Sequence, residues 1–381
     1  MKKIFILLIL VLLIPAPWVL ADEIEEQIKN LDLKEIDDFI REFNREYGNF
    51  FPLSDFEDMV RSLRENRNID FKSLFGGILR YVFREISANY KLLVKLITLS
   101  LICAVLKNLH HGFEKDNIGR MAHSVVLFVL IIIALQSFTI ALETGKGAIN
   151  RMVSFVQALM PTVFTLLAAV GGVASVRVFS PLIFIGITAA STWIKDIILP
   201  VIFFISVLSL VNNITDSFHV SQLTHLLRQL CVFLMGLFLS VFLGVMVIQG
   251  ATAATVDGIT IRTAKFASKN FVPIVGGIFS DALDAVVGYS LILKNAVGLI
   301  GLLILFLITL FPVVKILSII FIYRLSAAII QPVGENTIVK CLNDIGNSLT
   351  LIFISVASVA MMFFIAIAIV LVSGNLSMVL R

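Results

Sequence analysis

Hydrophobic and polar positions divide the chain into three zones. Lys2 and Lys3 precede an unbroken apolar run from Ile4 to Ile14, and a Pro15-Ala16-Pro17 break is followed by Val19-Leu20-Ala21. A charged start, a run short for a span, and small or branched residues at a peptidase position predict a cleaved signal peptide over residues 1–21. The mature chain then starts at Asp22. Residues 22–90 form the second zone, where apolar residues recur every three or four positions. Ile36, Phe39, Ile40, Phe43 and Tyr47 share one helical face behind an Asp32/Glu35 capping box. Phe56, Met59, Val60 and Leu63 share another behind Ser54/Glu57, and a third stripe runs from Phe71 to Ile86, edged by Arg80 and Arg84. These about 69 residues bury only a marginal core unaided. Two readings stand: a bundle packed on itself, or helices leaning on the membrane or a partner, with the basic-edged Phe71–Ile86 helix suited to the lipid interface.

From residue 91 onward the pattern changes to long apolar runs. Leu92–Leu109, Met121–Leu142, Phe155–Val176, Cys231–Val256, Asn295–Val314 and Leu349–Val372 are clear span candidates against a hydrocarbon core about 30 Å thick. Val178–Ile194 and Ile197–Ile214 are shorter and parted by Lys195-Asp196, and Ile316–Ile330 carries Tyr323-Arg324. The expected fold is an all-α, polytopic helical membrane protein of about seven to nine spans, by length alone. A signal peptide places the small helical segment outside the cytoplasm, which puts Lys107, Lys115 and Arg120 inside, as the positive-inside rule prefers. If every later run crosses, Arg262, Lys265, Lys269 and Lys294 fall outside, against the same rule. Either Val178–Ile214 crosses once, or Thr255–Asn295 is a buried or re-entrant element.

Composition sharpens this picture. Of 381 residues, 59% are hydrophobic and 15% charged, with a mean hydropathy of +1.00, whereas soluble domains carry about 25% charged residues. The net charge of +4 conceals an acidic stretch from Asp22 to Lys91, with 16 Asp/Glu against 11 Lys/Arg, and a basic remainder. That basic excess fits topology and contact with the lipid bilayer; no basic patch interleaved with aromatics points to nucleic acid. Cys103, Cys231 and Cys341 are isolated in or beside apolar runs and offer neither a disulfide framework nor zinc-site spacing.

The polar stretch Thr255–Asn295 interrupts the membrane pattern. Arg262, Lys265 and Lys269 share a helical face, Pro273, Gly276 and Gly277 supply a turn, and Asp281 and Asp284 lie three apart on the returning helix. A hairpin pivoting near Ile274 brings Lys269 opposite Asp281 and Lys265 opposite Asp284, a pairing that charges beside a bilayer favour. The alternative is an interfacial loop whose charges meet water and headgroups.

In this stretch the chain resembles the stage III sporulation protein AE family of endospore-forming bacteria. The resemblance rests on Asp257-Gly258, Arg262-Thr263-Ala264-Lys265-Phe266, Asn270 through Gly277, Ser280-Asp281-Ala282 and Leu293 through Gly298. It extends to the signal peptide, Pro161 with Gly171-Gly172, Pro181 and Gln331-Pro332, and so covers nearly the whole chain. It implies a role in spore formation, in the mother-cell membrane around the engulfed forespore. There such proteins belong to a secretion-like channel complex with sister membrane subunits, ring-forming subunits and a forespore partner, required for late forespore development. The family supplies no catalytic residues.

Enzyme chemistry is likewise unsigned. The five histidines form no HExxH or comparable metal pattern, and neither a GxSxG elbow nor a phosphate-binding Gly-rich loop occurs. No catalytic, metal or cofactor-binding residue emerges. Asp281 and Asp284, three apart on one helix, suit salt bridges better than a shared catalytic proton. His219 and His225 flank an amphipathic stretch ending at Arg228 and belong at the membrane surface. Three non-enzymatic readings remain. A channel-like subunit uses Pro161…Gly171-Gly172 and Pro273…Gly276-Gly277 as paired helix breaks, which point to a transport site. A scaffold uses the same glycines for close packing. A stand-alone secondary transporter is the third.

Overall fold

The structure is a computed structural model that describes residues 33–64, 71–110, 116–213, 220–271, 275–332 and 336–379. The described residues are helical apart from short connections. Three short helices come first: α1 Lys34–Tyr47, α2 Phe56–Arg64 and α3 Phe71–Ala88. Then follow α4 Tyr90–His110, α5 Asp116–Ala169, α6 Val173–Thr192, a π-helical turn Trp193–Ile198, α7 Leu199–Val211, α8 Ser221–Phe271, α9 Val275–Ile330 and α10 Asn336–Val379.

Among the described residues, six helical segments are long and apolar enough to cross a membrane: Phe75–Val105, Ser124–Ala169, Val173–Val211, Ser221–Thr263, Val286–Ile330 and Asn336–Asn375. This is a multipass membrane architecture. The sequence suggested more runs because polar interruptions do not break these helices. Glu143 through Arg151 separates two apolar runs, yet α5 passes straight through it, with Lys146 within 3.9 Å of Glu143 on the same turn. Gly145 costs helix propensity there, about 1 kcal/mol, but a Cβ at that position would stand only 3.1–3.2 Å from Ile352 and Val356, so the glycine brings α10 close. Likewise Lys195-Asp196 does not separate two spans. Pro200 has no N–H to return to the preceding turn, and the chain widens there into one π turn, from which Lys195 reaches Asn150 of α5 at 2.7 Å. Val178–Ile214 is therefore largely one rod. Asn295–Val314 and Ile316–Ile330 are also one helix, running through Pro312. The Phe155–Val176 run is divided instead at Val170–Gly172, between α5 and α6. Apart from the first, the apolar segments hold 39 to 46 residues, or about 58–69 Å at about 1.5 Å per residue, roughly twice the hydrocarbon thickness. A tilt or a projecting end absorbs the excess.

α9 and α10 form the centre, with Val297, Ile304, Leu307 and Phe311 of α9 and Leu349, Ile352, Val356 and Ile367 of α10 buried. α8 lies outside, and Phe233, Val241 and Ile248 are among its exposed side chains.

The pre-membrane helices neither stand apart nor pack only on themselves. Ile36, Ile40, Phe43 and Tyr47 of α1 join the same core as the long helices. Tyr47 stacks on Phe311 of α9 at 4.3 Å between ring centroids, Tyr81 meets the same ring edge-on at 4.7 Å, and Phe39 meets Phe155 of α5. Burial pushes the Tyr47 hydroxyl well above the usual tyrosine range. It donates to Glu46, whose other oxygen accepts from Arg151 of α5. That pair is 30–49% exposed, so Arg151→Gln is expected to cost only about 0–1 kcal/mol in thermal unfolding of the purified protein. A drop comparable to a core truncation would make it the main fastening. Asn44 clamps the following loop, accepting from the Leu53 N–H and donating to its carbonyl at 2.8 and 2.7 Å.

The caps differ from the sequence pattern. α1 starts behind Leu33 with no side-chain cap, and Asp32 lies outside the described residues. At α2 the Phe56 N–H is accepted by Asp37 of α1 at 3.1 Å, so a cap between helices fastens α2 to α1. Along α3, Phe75, Leu79 and Phe83 remain exposed, and the first segment able to cross a membrane, Phe75–Val105, begins within this helix rather than at Leu92.

Candidate functional site

A cluster of buried polar groups lies where α5 turns into α6. The last turn of α5 is closed by two backbone bonds: Gly171 N–H donates to Ala168 at 2.8 Å, and Gly172 N–H to Leu167 at 2.9 Å. Gly171 sits at φ 88°, the left-handed conformation that favours glycine at a helix end. Gly172 has no room for a side chain, since a Cβ would lie 2.7 Å from Leu167 Cδ1. Gly172 is also the residue that caps α6, and it brings no side chain to the free N–H groups of that helix.

Asp257, from α8, supplies what is missing. Its carboxylate accepts from Ala174 N–H at 2.7 Å and from Ser175 N–H at 2.9 Å, and it is 2% exposed. A carboxylate at a helix N-terminus is favoured by both the orphan donors and the helix dipole. Ser175 Oγ then lies 3.0 Å from Ser373 Oγ of α10. On the far side of α10, Lys294 of α9 is fully buried and donates to the Leu371 carbonyl at 2.8 Å and to Asn375 Oδ1 at 3.2 Å. Gly374 makes space for it, because a Cβ there would stand 2.2 Å from Lys294 Nζ. Gly298 plays the same part for Leu371, at 2.1 Å. One buried anion and one buried cation thus brace four helices through hydrogen bonds, the form in which charge persists inside a membrane protein.

The residues singled out in the sequence divide three ways. Gly171 and Gly172 make a real break. Pro161 sits inside α5, which continues to Ala169. Around the expected hairpin, α8 ends at Phe271 and α9 starts at Val275, with Gly276 and Gly277 in its first turn; Pro273 and Ile274, the expected pivot, lie outside the described residues. The stretch is therefore the ends of two long helices rather than a loop. They run antiparallel, because Asp257 and Lys294, on opposite sides of the turn, reach one junction. Arg262 is exposed on α8. The side chains of Lys265, Lys269, Asp281 and Asp284 lie outside the described residues, and with them the proposed pairs.

The sequence reading missed the use made of Asp257 and counted Lys294 among loop charges. A signal existed: each is a single charge set among apolar and small residues, as a buried, partnered charge would be. Among the described residues no group of three or more His, Cys, Asp or Glu gathers to hold a metal ion. The hydrogen bonds of the junction join one helix to another, through backbone, amide and hydroxyl groups.

Several residues that carry the family resemblance (Gly171, Gly172, Asp257, Lys294 and Gly298) meet at this one place. Comparison with known proteins agrees. The family described as Stage III sporulation protein AE matches residues 54–374. A Bacillus subtilis (strain 168) protein named Stage III sporulation protein AE is 39% identical over 357 residues, covering 94% of this chain and 90% of the relative. No solved structure matches the chain.

Proposed function

We propose a bracing role in a membrane complex of spore formation for this protein, which belongs to the stage III sporulation protein AE family. In this reading it is a multipass subunit of the secretion-like channel complex that links mother cell and forespore and supports late forespore development. Its signal peptide is removed before Asp22. Its N-terminal helices face the space between the two membranes, where ring-forming sister subunits and a forespore partner are reached. The observation that carries the reading is the docking of α1–α3 on α5 and α9. The Phe311 ring fixes Tyr47 and Tyr81 from below, while Arg41, Asp38 and Glu42 stay exposed on the outer surface. A charged face held rigidly on a membrane body suits protein partners better than a free linker would.

Within the complex, a scaffold is favoured over a stand-alone transporter by one feature. A transporter aims the N-terminus of a broken helix at its substrate; here the N-terminus of α6 is filled by the protein's own Asp257.

A photo-crosslinking residue at Arg45, exposed on α1, and another at Phe266, 70% exposed on α8, test the role in sporulating cells. Adducts to sister subunits from Arg45 are expected. Adducts from both positions to a translocating substrate, with none to sister subunits, would replace the scaffold with a conduction path.

A further inference from the structure

A second polar site lies about 40 Å from the junction along α10, at about 1.5 Å per residue. A cavity of ≈ 270 Å³ opens there between the end of α7, the start of α8 and the first half of α10. Its chemistry is set by Arg228, His225, Lys340 and Asp344. The last is held by Asn213, whose Nδ2 donates to Oδ2 at 3.0 Å. Arg228 is half-buried on the cavity wall, and the planar guanidinium fork suits phosphate oxygens. Ser221, on the cavity wall, opens the 51-residue helix α8, whose N-terminus adds a field that favours an anion.

The surroundings separate a lipid from a free ion. Leu223, Leu226, Leu230 and Phe233 of the same stretch of α8 are 44–63% exposed and continue from the cavity along the apolar rod. A headgroup phosphate in the cavity would lay its acyl chains on them. Basic pockets between membrane helices hold anionic lipid headgroups in this way.

We propose that the Arg228–Lys340 cavity binds the phosphate group of an anionic phospholipid, with the Arg228 fork on the phosphate oxygens and Lys340 and His225 adding charge. Asp344 opposes the ligand and tunes its affinity downward.

The test is native mass spectrometry of the full chain in neutral detergent, titrated with phosphatidylglycerol, with phosphatidylcholine, or with inorganic phosphate. Phosphatidylglycerol is expected to be retained and phosphatidylcholine lost. Arg228→Gln should weaken phosphatidylglycerol binding by about tenfold or more, the scale of one charge-assisted bidentate contact. Arg228→Lys, which keeps charge without the fork, should fall between. Asp344→Asn should bind more tightly than the parent, a gain that a misfolded variant does not give. Millimolar phosphate should fail to displace the lipid. Equal phosphatidylglycerol binding by the parent and Arg228→Gln overturns the site. Arg228-dependent binding of inorganic phosphate, with phosphatidylglycerol excluded, overturns the lipid as its source.

Discussion

Asp257→Ala is expected to destabilise the membrane domain more than any other single removal of a polar side chain. Two N–H groups of α6 lose a charged acceptor at a site with almost no solvent access. Hydrogen bonds to charged groups contribute about 1.5–3 kcal/mol each, so the loss is about 3–6 kcal/mol. Asp257→Asn keeps one carbonyl oxygen for one donor and should lose roughly half as much. Ser373→Ala removes only the hydroxyl contact to Ser175, at about 1 kcal/mol. Thermal unfolding of the purified full chain in detergent ranks the three. If Asp257→Ala unfolds at the parent temperature, the cap contributes nothing and α6 is held by its apolar packing alone. A double variant with Lys294→Met asks a separate question. Less than additive loss would show that the two charges, which share the junction without a direct ion pair, stabilise each other.

The second large effect is expected at Phe311. Its side chain is 1% exposed and touches three rings of the N-terminal helices, Phe43, Tyr47 and Tyr81. Truncating a buried Phe to Ala costs about 3–5 kcal/mol. Most of the cavity opens toward α1 and α3, so the consequence is local: the N-terminal helices should detach while the bundle stays folded. Limited proteolysis reads this directly, with cleavage between residues 41 and 61 accelerated in Phe311→Ala and the long helices unaffected. Phe311→Leu, which refills part of the volume, should restore much of the protection. Unchanged cleavage in Phe311→Ala would mean that the Glu46–Arg151 pair and the remaining apolar contacts fasten these helices unaided. Detachment would also bear on the proposed role, because crosslinks from Arg45 should then be lost although the membrane bundle remains.

The apolar runs and the hydrophobic stripes of α1 to α3 could be read from residue order. Each depends on spacing within a few turns, and burial in lipid or in a neighbouring helix demands the same spacing. Gly171-Gly172 could be read as a break for a related reason, since only glycine tolerates φ 88° at a helix end. Less legible was whether a polar interruption ends a helix. Glu143 to Arg151 and Lys195-Asp196 look alike as gaps between spans, and both are helical, because a helix satisfies its own backbone whatever the side chains face. That decision belongs to the neighbours: α10 against Gly145, and Asn150 beneath Lys195. The expected extra spans disappear for this reason.

The sequence by itself determined that the chain is helical and made for a membrane, and its motifs determined the family. Tertiary structure alone decided what the polar residues do. Asp257 stands 83 residues from Ala174, and Lys294 stands 81 from Asn375. No local pattern links such positions, because a charge becomes tolerable in an apolar interior only when distant donors and acceptors are delivered to it. The same holds for the aromatic docking, where Tyr47 and Phe311 meet across most of the chain. An amphipathic stripe states that a face must be covered, and the fold settles what covers it.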